Sequence, residues 1–200
     1  MADLITRPEL VAQMSPTAVR WTREDCAALD RAGVLNYRYE LVEGVINRMG
    51  QNLGHANIVR LLIGWLVVAF GIDFFFTQTS IDVRTEDNPT NAPEPDGIVL
   101  HRPAGDLTGI PRPSDIRLII EASDTTLAYD LSVKAALYAR AGIAEYWVIS
   151  LLERRLYVHR HPTRGAYQDI IAYQENELAT PLDAPEKAVE VSALLPPPTN

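Results

Sequence analysis

The chain has 200 residues, 47% of them hydrophobic, and a formal net charge of −8. That length favours one domain with an ample core, and the negative balance argues against broad, nonspecific binding to nucleic acid, so any polyanion site has to be a local basic patch. The single cysteine, Cys26, excludes a disulfide framework or a cysteine metal cluster within the chain and fits a reducing cytosol.

The N-terminal stretch MADLITRPELVAQMSP lacks the basic start and apolar core of a signal peptide, and residues 1–21 read as a loose arm. Thr22 and Asp25 have capping-box spacing, which predicts a short helix to about Ala32. "YRYELVEGVINRM" is rich in β formers on both sides of Gly44 and predicts a hairpin from Tyr37 to Met49. From Asn57 to Phe70 apolar residues lie nearly all round, which predicts a mostly buried helix. The 12 residues between Arg60 and Asp73 are too few for a bilayer, which needs about 20; no membrane association and a cytoplasmic location are expected. "FFFTQTSIDV" (74–83) reads as a strand and "TEDNPTNAPEP" (85–95) as a loop. Asp96 opens the strand "DGIVL", and a second loop covers 102–115.

Arg117 to Ala122 has little polar alternation, as in a strand covered on both faces. A helix capped near Thr126 runs to about Ala141, where Gly142 stops it. "EYWVIS" is a further strand, 153–161 and 166–174 form a hairpin, and Pro196-Pro197-Pro198 marks a tail. The organisation is an arm (1–21), one domain (22–192) and a Pro-rich tail (193–200). The fold class is mixed α/β (α+β): a mixed central sheet flanked by helices, with an N-terminal helix and a β-hairpin.

Asp96 lies at the mouth of one strand and Glu121 at the end of another. As neighbours they can share a hard cation such as Mg²⁺ or Mn²⁺; as ordinary strand-end acids they are simply solvated. Asp130, Lys134 and Tyr138 share one helix face at i, i+4, i+8, with Tyr138 a candidate substrate contact, and an exposed Asp130–Lys134 ion pair is the plain alternative to a functional lysine. Glu40 falls in the first hairpin, with Glu43 nearer the turn and expected exposed. His55 begins the long helix, as a hydrogen-bonded cap or a substrate contact. "RRLYVHRHPTRG" (154–165) holds four arginines, two histidines and no acid. Arg154, Arg155 and Arg160 there are candidates for phosphate contact, against a solvated hairpin; Arg102, Arg112 and Arg117 are a second place to seek a nucleic-acid surface. No Gly-rich phosphate loop, G-x-S-x-G elbow or H-E-x-x-H motif is present.

"YELVEG", "PEPDGIVL", "LIIEAS" and "D-x-x-x-K-x-x-x-Y-A-R-A-G-I-A-E-Y-W-V" occur in the order seen in the Uma-type putative restriction endonucleases of the PD-(D/E)XK superfamily. The chain resembles that family over roughly residues 22–175. The resemblance implies a restriction-endonuclease-like core and Mg²⁺- or Mn²⁺-dependent hydrolysis of DNA phosphodiesters. By matching positions it makes Asp96 the first metal ligand and Glu121 the second, with Glu40 an acidic residue of the first motif. The superfamily lysine expected two residues after Glu121 is Ser123 here, and Lys134 looks like its relocated replacement. Two other readings stay open: a catalytically inactive DNA- or protein-binding scaffold, and a phosphodiesterase acting on a smaller substrate. One site per chain and two strands to cut make a homodimer the expected assembly.

Overall fold

The computed structural model describes residues 3–4, 19–50 and 52–198; the arm expected over 1–21 falls largely outside them. Seven strands form one sheet in the order β1-β9-β8-β7-β6-β5-β4. They are β1 (Asp3–Leu4), β4 (Phe75–Phe76), β5 (Gly97–Leu100), β6 (Ile116–Ser123), β7 (Glu145–Ser150), β8 (Arg155–Thr163) and β9 (Ala166–Gln174). Only β6 and β7 run parallel; every other neighbouring pair is antiparallel. The parallel pair needs a crossover, and a helical run over 127–141 supplies it. A small sheet, β10 (Leu178–Ala179) with β11 (Val189–Glu190), follows β9.

β6 alternates between two covered faces, as its apolar composition predicts. Leu118, Ile120 and Ala122 face helix α2 (Leu53–Phe70), with Ile58, Leu62, Leu66 and Trp147 in the same core. Ile119 faces the 127–141 helix, with Tyr138, Tyr146 and Val148. The backbone of Gly97 lets α2 approach closely: a Cβ there would lie 3.2 Å from Leu62 Cδ2. Trp65 of α2 stacks on Trp147 of β7 at 5.4 Å between ring centroids and 12° between planes. The core also takes in Leu194 and Leu195.

Ahead of this body, α1 (Arg23–Arg31) begins at Thr22 in the expected capping box with Asp25. β2 (Tyr39–Val42) and β3 (Val45–Arg48) form a separate hairpin. Its two-residue turn, Glu43-Gly44, has φ values of +52° and +73°, the left-handed pair a tight hairpin requires. Asn91 Oδ1 accepts the Glu43 N–H at 2.7 Å, and the Gly44 N–H donates to the Thr90 carbonyl at 2.8 Å. The hairpin is thereby pinned to the 85–95 loop.

Four expectations need correction. First, α2 starts at Leu53 instead of Asn57, because Asn52 caps it by accepting the His55 N–H at 2.8 Å. Second, α2 is not mostly buried: Ile58, Val59, Leu62, Leu66 and Ala69 are, but Leu53 is 79% and Val68 85% exposed. With 18 residues and a mean hydropathy of 1.7 it is, among the described residues, the one helix long and apolar enough to cross a membrane, by length and composition only.

Third, the strand expected over 74–83 pairs only at Phe75–Phe76. The Gln78 and Ile81 N–H groups still donate to the Pro95 and Pro93 carbonyls, at 3.0 and 3.1 Å. Proline has no N–H to return, so the ladder stops. Fourth, the 127–141 helix is not uniform: an α turn (Leu127–Tyr129) passes into a π-helical stretch (Asp130–Lys134) before an α segment (Ala135–Ala141).

Candidate functional site

The register of β5 on β6 sets Gly97 opposite Ile120, so the next position brings Asp96 beside Glu121. The Ala122 N–H donates to Asp96 Oδ2 at 2.9 Å, fixing that carboxylate at the end of the ladder. From the crossover helix, Lys134 extends its ammonium to Glu121 Oε1 at 2.9 Å and to Glu40 Oε2 at 3.0 Å. Tyr138, one turn on, donates its hydroxyl to Glu121 Oε1 at 2.9 Å. Glu40 arrives from the β2–β3 hairpin, where Oε2 also accepts the Glu94 N–H at 3.4 Å. Asn47 of β3 donates to the Tyr129 hydroxyl at 2.8 Å, tying the hairpin to the start of the crossover helix.

Asp130, Lys134 and Tyr138 do share a buried face, but the plain Asp130–Lys134 ion pair is not what forms. Asp130 instead accepts the Thr126 hydroxyl at 2.7 Å. Ser123, where the superfamily lysine was expected, is fully buried and lies 3.4 Å from the Thr126 hydroxyl. The π stretch has its own support: the Asp130 carbonyl accepts the Ala135 N–H and, at 3.1 Å, the Tyr146 hydroxyl. π turns recur at functional sites because they re-aim side chains along an otherwise regular helix.

All of these groups are withdrawn from solvent: Glu40 is 6%, Asp96 3%, Glu121 4%, Asp130 3% and Lys134 5% exposed. Burial pushes the Lys134 pKa down, but the Glu121, Glu40 and Asp130 carboxylates outweigh it and hold the ammonium well above its ordinary range. Burial pushes Glu121 well up; Lys134 opposes, while Asp96, Asp130 and Glu40 add to the rise. Burial likewise raises Asp130, against Lys134 and Thr126. Glu121 and Glu40 therefore pair directly with the ammonium, Asp130 lies near it, and Asp96 adds a fourth buried carboxylate beside Glu121. That surplus of buried acid is satisfied by a proton or by a further cation.

The arrangement fits a hard divalent ion. Asp96 Oδ1 is a buried oxygen with no hydrogen-bond partner, and the nearby donors are carboxylates. Asp96 and Glu121 are the residues that would hold such an ion. Among the described residues no three His, Cys, Asp or Glu side chains form a ready-made metal cage, so the protein's share of the ligands is small.

His55, in the first turn of α2, lies beside Asp96. Its Nδ1 is 3.0 Å from the Ala122 carbonyl and its Nε2 is 3.1 Å from Asp96 Oδ1. Asp96 raises its pKa, against burial. The helix cap that the sequence offered to His55 belongs to Asn52.

The basic hairpin is a different matter. Arg154 pairs with Glu175, Nε to Oε2 at 2.7 Å, and donates to the Pro196 carbonyl at 2.9 Å. Arg160 pairs with Glu145 at 2.7 Å and donates to the Thr180 carbonyl. Neither guanidinium is the unpaired cation the sequence window promised, because the acids that neutralise them come from other segments. Arg155 starts β8 half-buried, opposite Ser150, which pairs in turn with Ser123 at the end of β6. Asp130 was placed on the right face by its spacing but not read as part of the site. The Tyr146 support of the π stretch had no signal in the sequence.

Comparison with known proteins bears on the fold and the family. A crystal structure of a putative nuclease belonging to DUF820 from Anabaena variabilis ATCC 29413 superimposes with a TM-score of 0.58 at 17% sequence identity, covering 80% of this chain and 90% of that one. At that identity the likeness concerns the fold. No curated protein matches the chain. The family model described as "Uma2: Putative restriction endonuclease" matches residues 29–193, a span holding the hairpin glutamate, both strand acids and the crossover lysine, and the chain belongs to that family.

Proposed function

We propose that the protein is a metal-dependent endonuclease that hydrolyses DNA phosphodiester bonds. The observation that carries this reading is the meeting of Glu40 and Glu121 on Lys134, with Asp96 beside Glu121, from four separate segments. Asp96 and Glu121 would hold Mg²⁺ or Mn²⁺, which when bound supplies Lewis acidity and a more acidic water. Lys134, held as an ammonium, has no lone pair with which to take a proton. It orients the attacking water by donating to it and offsets negative charge developing on the phosphoryl oxygens. Tyr138 and Lys134 together fix Glu121 Oε1. Glu40 holds the far side of the ammonium and keeps it aimed. Arg155, at the same end of the sheet as Ser123, is the hairpin residue best placed for a phosphate of the substrate. A twofold homodimer puts two such sites against the two strands of a duplex.

The burial of the cluster favours a second reading, a phosphodiesterase for something smaller than duplex DNA. The two separate on one set of assays. Purified protein is incubated with plasmid, with oligonucleotides and with a nitrophenyl phosphodiester, in Mg²⁺, in Mn²⁺ and in chelator. Metal-dependent nicking of plasmid supports the endonuclease; turnover of the small diester alone supports the second reading. Asp96→Asn and Glu121→Gln are each expected to abolish detectable divalent binding by calorimetry while leaving the circular dichroism unchanged. Wild-type Mn²⁺ affinity in both variants sinks the metal assignment. Lys134→Ala is expected to lower turnover by about a hundredfold to a thousandfold, and wild-type-like cleavage rules out its role.

A further inference from the structure

The peptide unit of one β6 residue organises two side chains from different elements. The Ala122 N–H donates to Asp96 Oδ2 at 2.9 Å, and the Ala122 carbonyl lies 3.0 Å from His55 Nδ1. A carbonyl oxygen only accepts, so Nδ1 carries the proton and Nε2 is the nitrogen turned towards Asp96. Nε2 lies 3.1 Å from Asp96 Oδ1, yet that oxygen has no hydrogen-bond partner. The in-plane axis of the ring at Nε2 therefore passes beside Oδ1 instead of through it. Two donors at right angles on a small divalent ion, each about 2.1–2.2 Å from it, lie about 3.0–3.1 Å apart and do not point at each other. A ligating histidine characteristically donates its other ring N–H to a carbonyl, as His55 does here.

We propose that His55 is a nitrogen ligand of the divalent ion held at Asp96, the two forming one edge of its coordination sphere. The inference rests on the reading of Asp96 as a metal ligand and adds a residue and a selectivity to it. An imidazole nitrogen suits Mn²⁺ and later transition ions better than Mg²⁺, which takes an all-oxygen sphere. The ion the site prefers is therefore Mn²⁺, and His55 is the reason.

The test needs no cleavage assay. Mn²⁺-loaded wild-type protein is studied by pulsed electron paramagnetic resonance, with natural and ¹⁵N-histidine-labelled chain. A nitrogen coupling that changes with the label is expected, and it requires no variant to fold. His55→Gln is then expected to remove that coupling, to weaken Mn²⁺ binding on the order of tenfold or more and to leave Mg²⁺ binding less affected. Absence of nitrogen coupling in the wild type overturns the proposal. So does Mn²⁺ affinity that is unchanged or higher in His55→Gln, the result expected of a mere cationic counter-ion. Mn²⁺ binding that is lost in Asp96→Asn but indifferent to His55 overturns the histidine ligand alone. A wild type that takes up no divalent ion overturns the metal reading, and this inference with it.

Discussion

At the scale of single residues, the sharpest consequence concerns His159. It is 1% exposed, packed against Tyr146 and Tyr167 at ring distances of 5.3 and 5.6 Å, and its Nδ1 has no hydrogen-bond partner. Burial lowers its pKa to about 4. The folded pKa lies below the unfolded value, so the unfolded chain binds the extra proton. The neutral ring's contribution is fully present above about pH 6.5 and is lost as pH falls towards 4. At pH 4.5 the loss is about 2.5 kcal/mol. His159→Phe is expected to remove this part of the acid sensitivity. Urea unfolding at pH 7 and pH 4.5 checks it, through a wild-type stability drop larger than the variant's by about that amount. Equal drops count against the buried neutral ring. The sequence offers His159 only as one of two histidines on an Arg-rich hairpin, a face that reads as polar. Only the sheet shows that this face is covered.

At the scale of elements, the β6–crossover–β7 unit is where the sequence was most informative. Its apolar run, its glycine stop at Gly142 and its Asp-Lys-Tyr spacing were legible because each is a local pattern. The π stretch was not, since it is sustained by Tyr146 from the next strand. The same unit makes the ion cluster a structural load as well as a chemical site. Removing one partner of a buried ion pair leaves uncompensated charge and costs about 3–5 kcal/mol. Lys134→Met is therefore expected to destabilise the fold by about that much at pH 8, and adding Glu121→Gln to recover part of the loss. The double variant measured beside both single variants gives the coupling. A fully additive cycle would show that the two side chains do not depend on each other. The shortened β4 and the early start of α2 were misjudged for related reasons: Pro93 and Pro95 act on a strand distant in sequence, and the Asn52 cap lies ahead of the apolar run that drew attention.

At the scale of the molecule, charge is distributed differently from its distribution along the sequence. The Arg154–Glu175 and Arg160–Glu145 pairs join residues 21 and 15 positions apart, so a window of a dozen residues sees the cations without their acids. Arg155→Ala is expected to lower the slope of log affinity for duplex DNA against log salt by about 0.9. Arg154→Ala and Arg160→Ala are expected to act mainly on stability. Affinity at several salt concentrations for the three single variants decides this, and equal slope changes in all three would restore the whole hairpin as a phosphate-binding strip. The meeting of Asp96, Glu121 and Lys134 was suggested by motifs spread along the chain, whereas the order of strands in the sheet was not. Nor was the burial of that cluster beneath the hairpin, because it depends on packing between elements with no shared local pattern.

The stacked indoles of Trp65 and Trp147 give the protein an optical signal of its own. Two stacked rings at that separation couple their electronic transitions, and wherever their in-plane transition dipoles are skewed the pair produces a split circular-dichroism band that neither tryptophan has alone. One ring rides on α2 and the other on β7. The band therefore follows the seating of α2 on the sheet, and with it the position of the helix end that carries His55 to Asp96. Trp21, the remaining tryptophan, lies ahead of α1 and outside the stacked pair, and contributes an unsplit background. An ion that tightens the seat of α2 would be visible in the spectrum without any label.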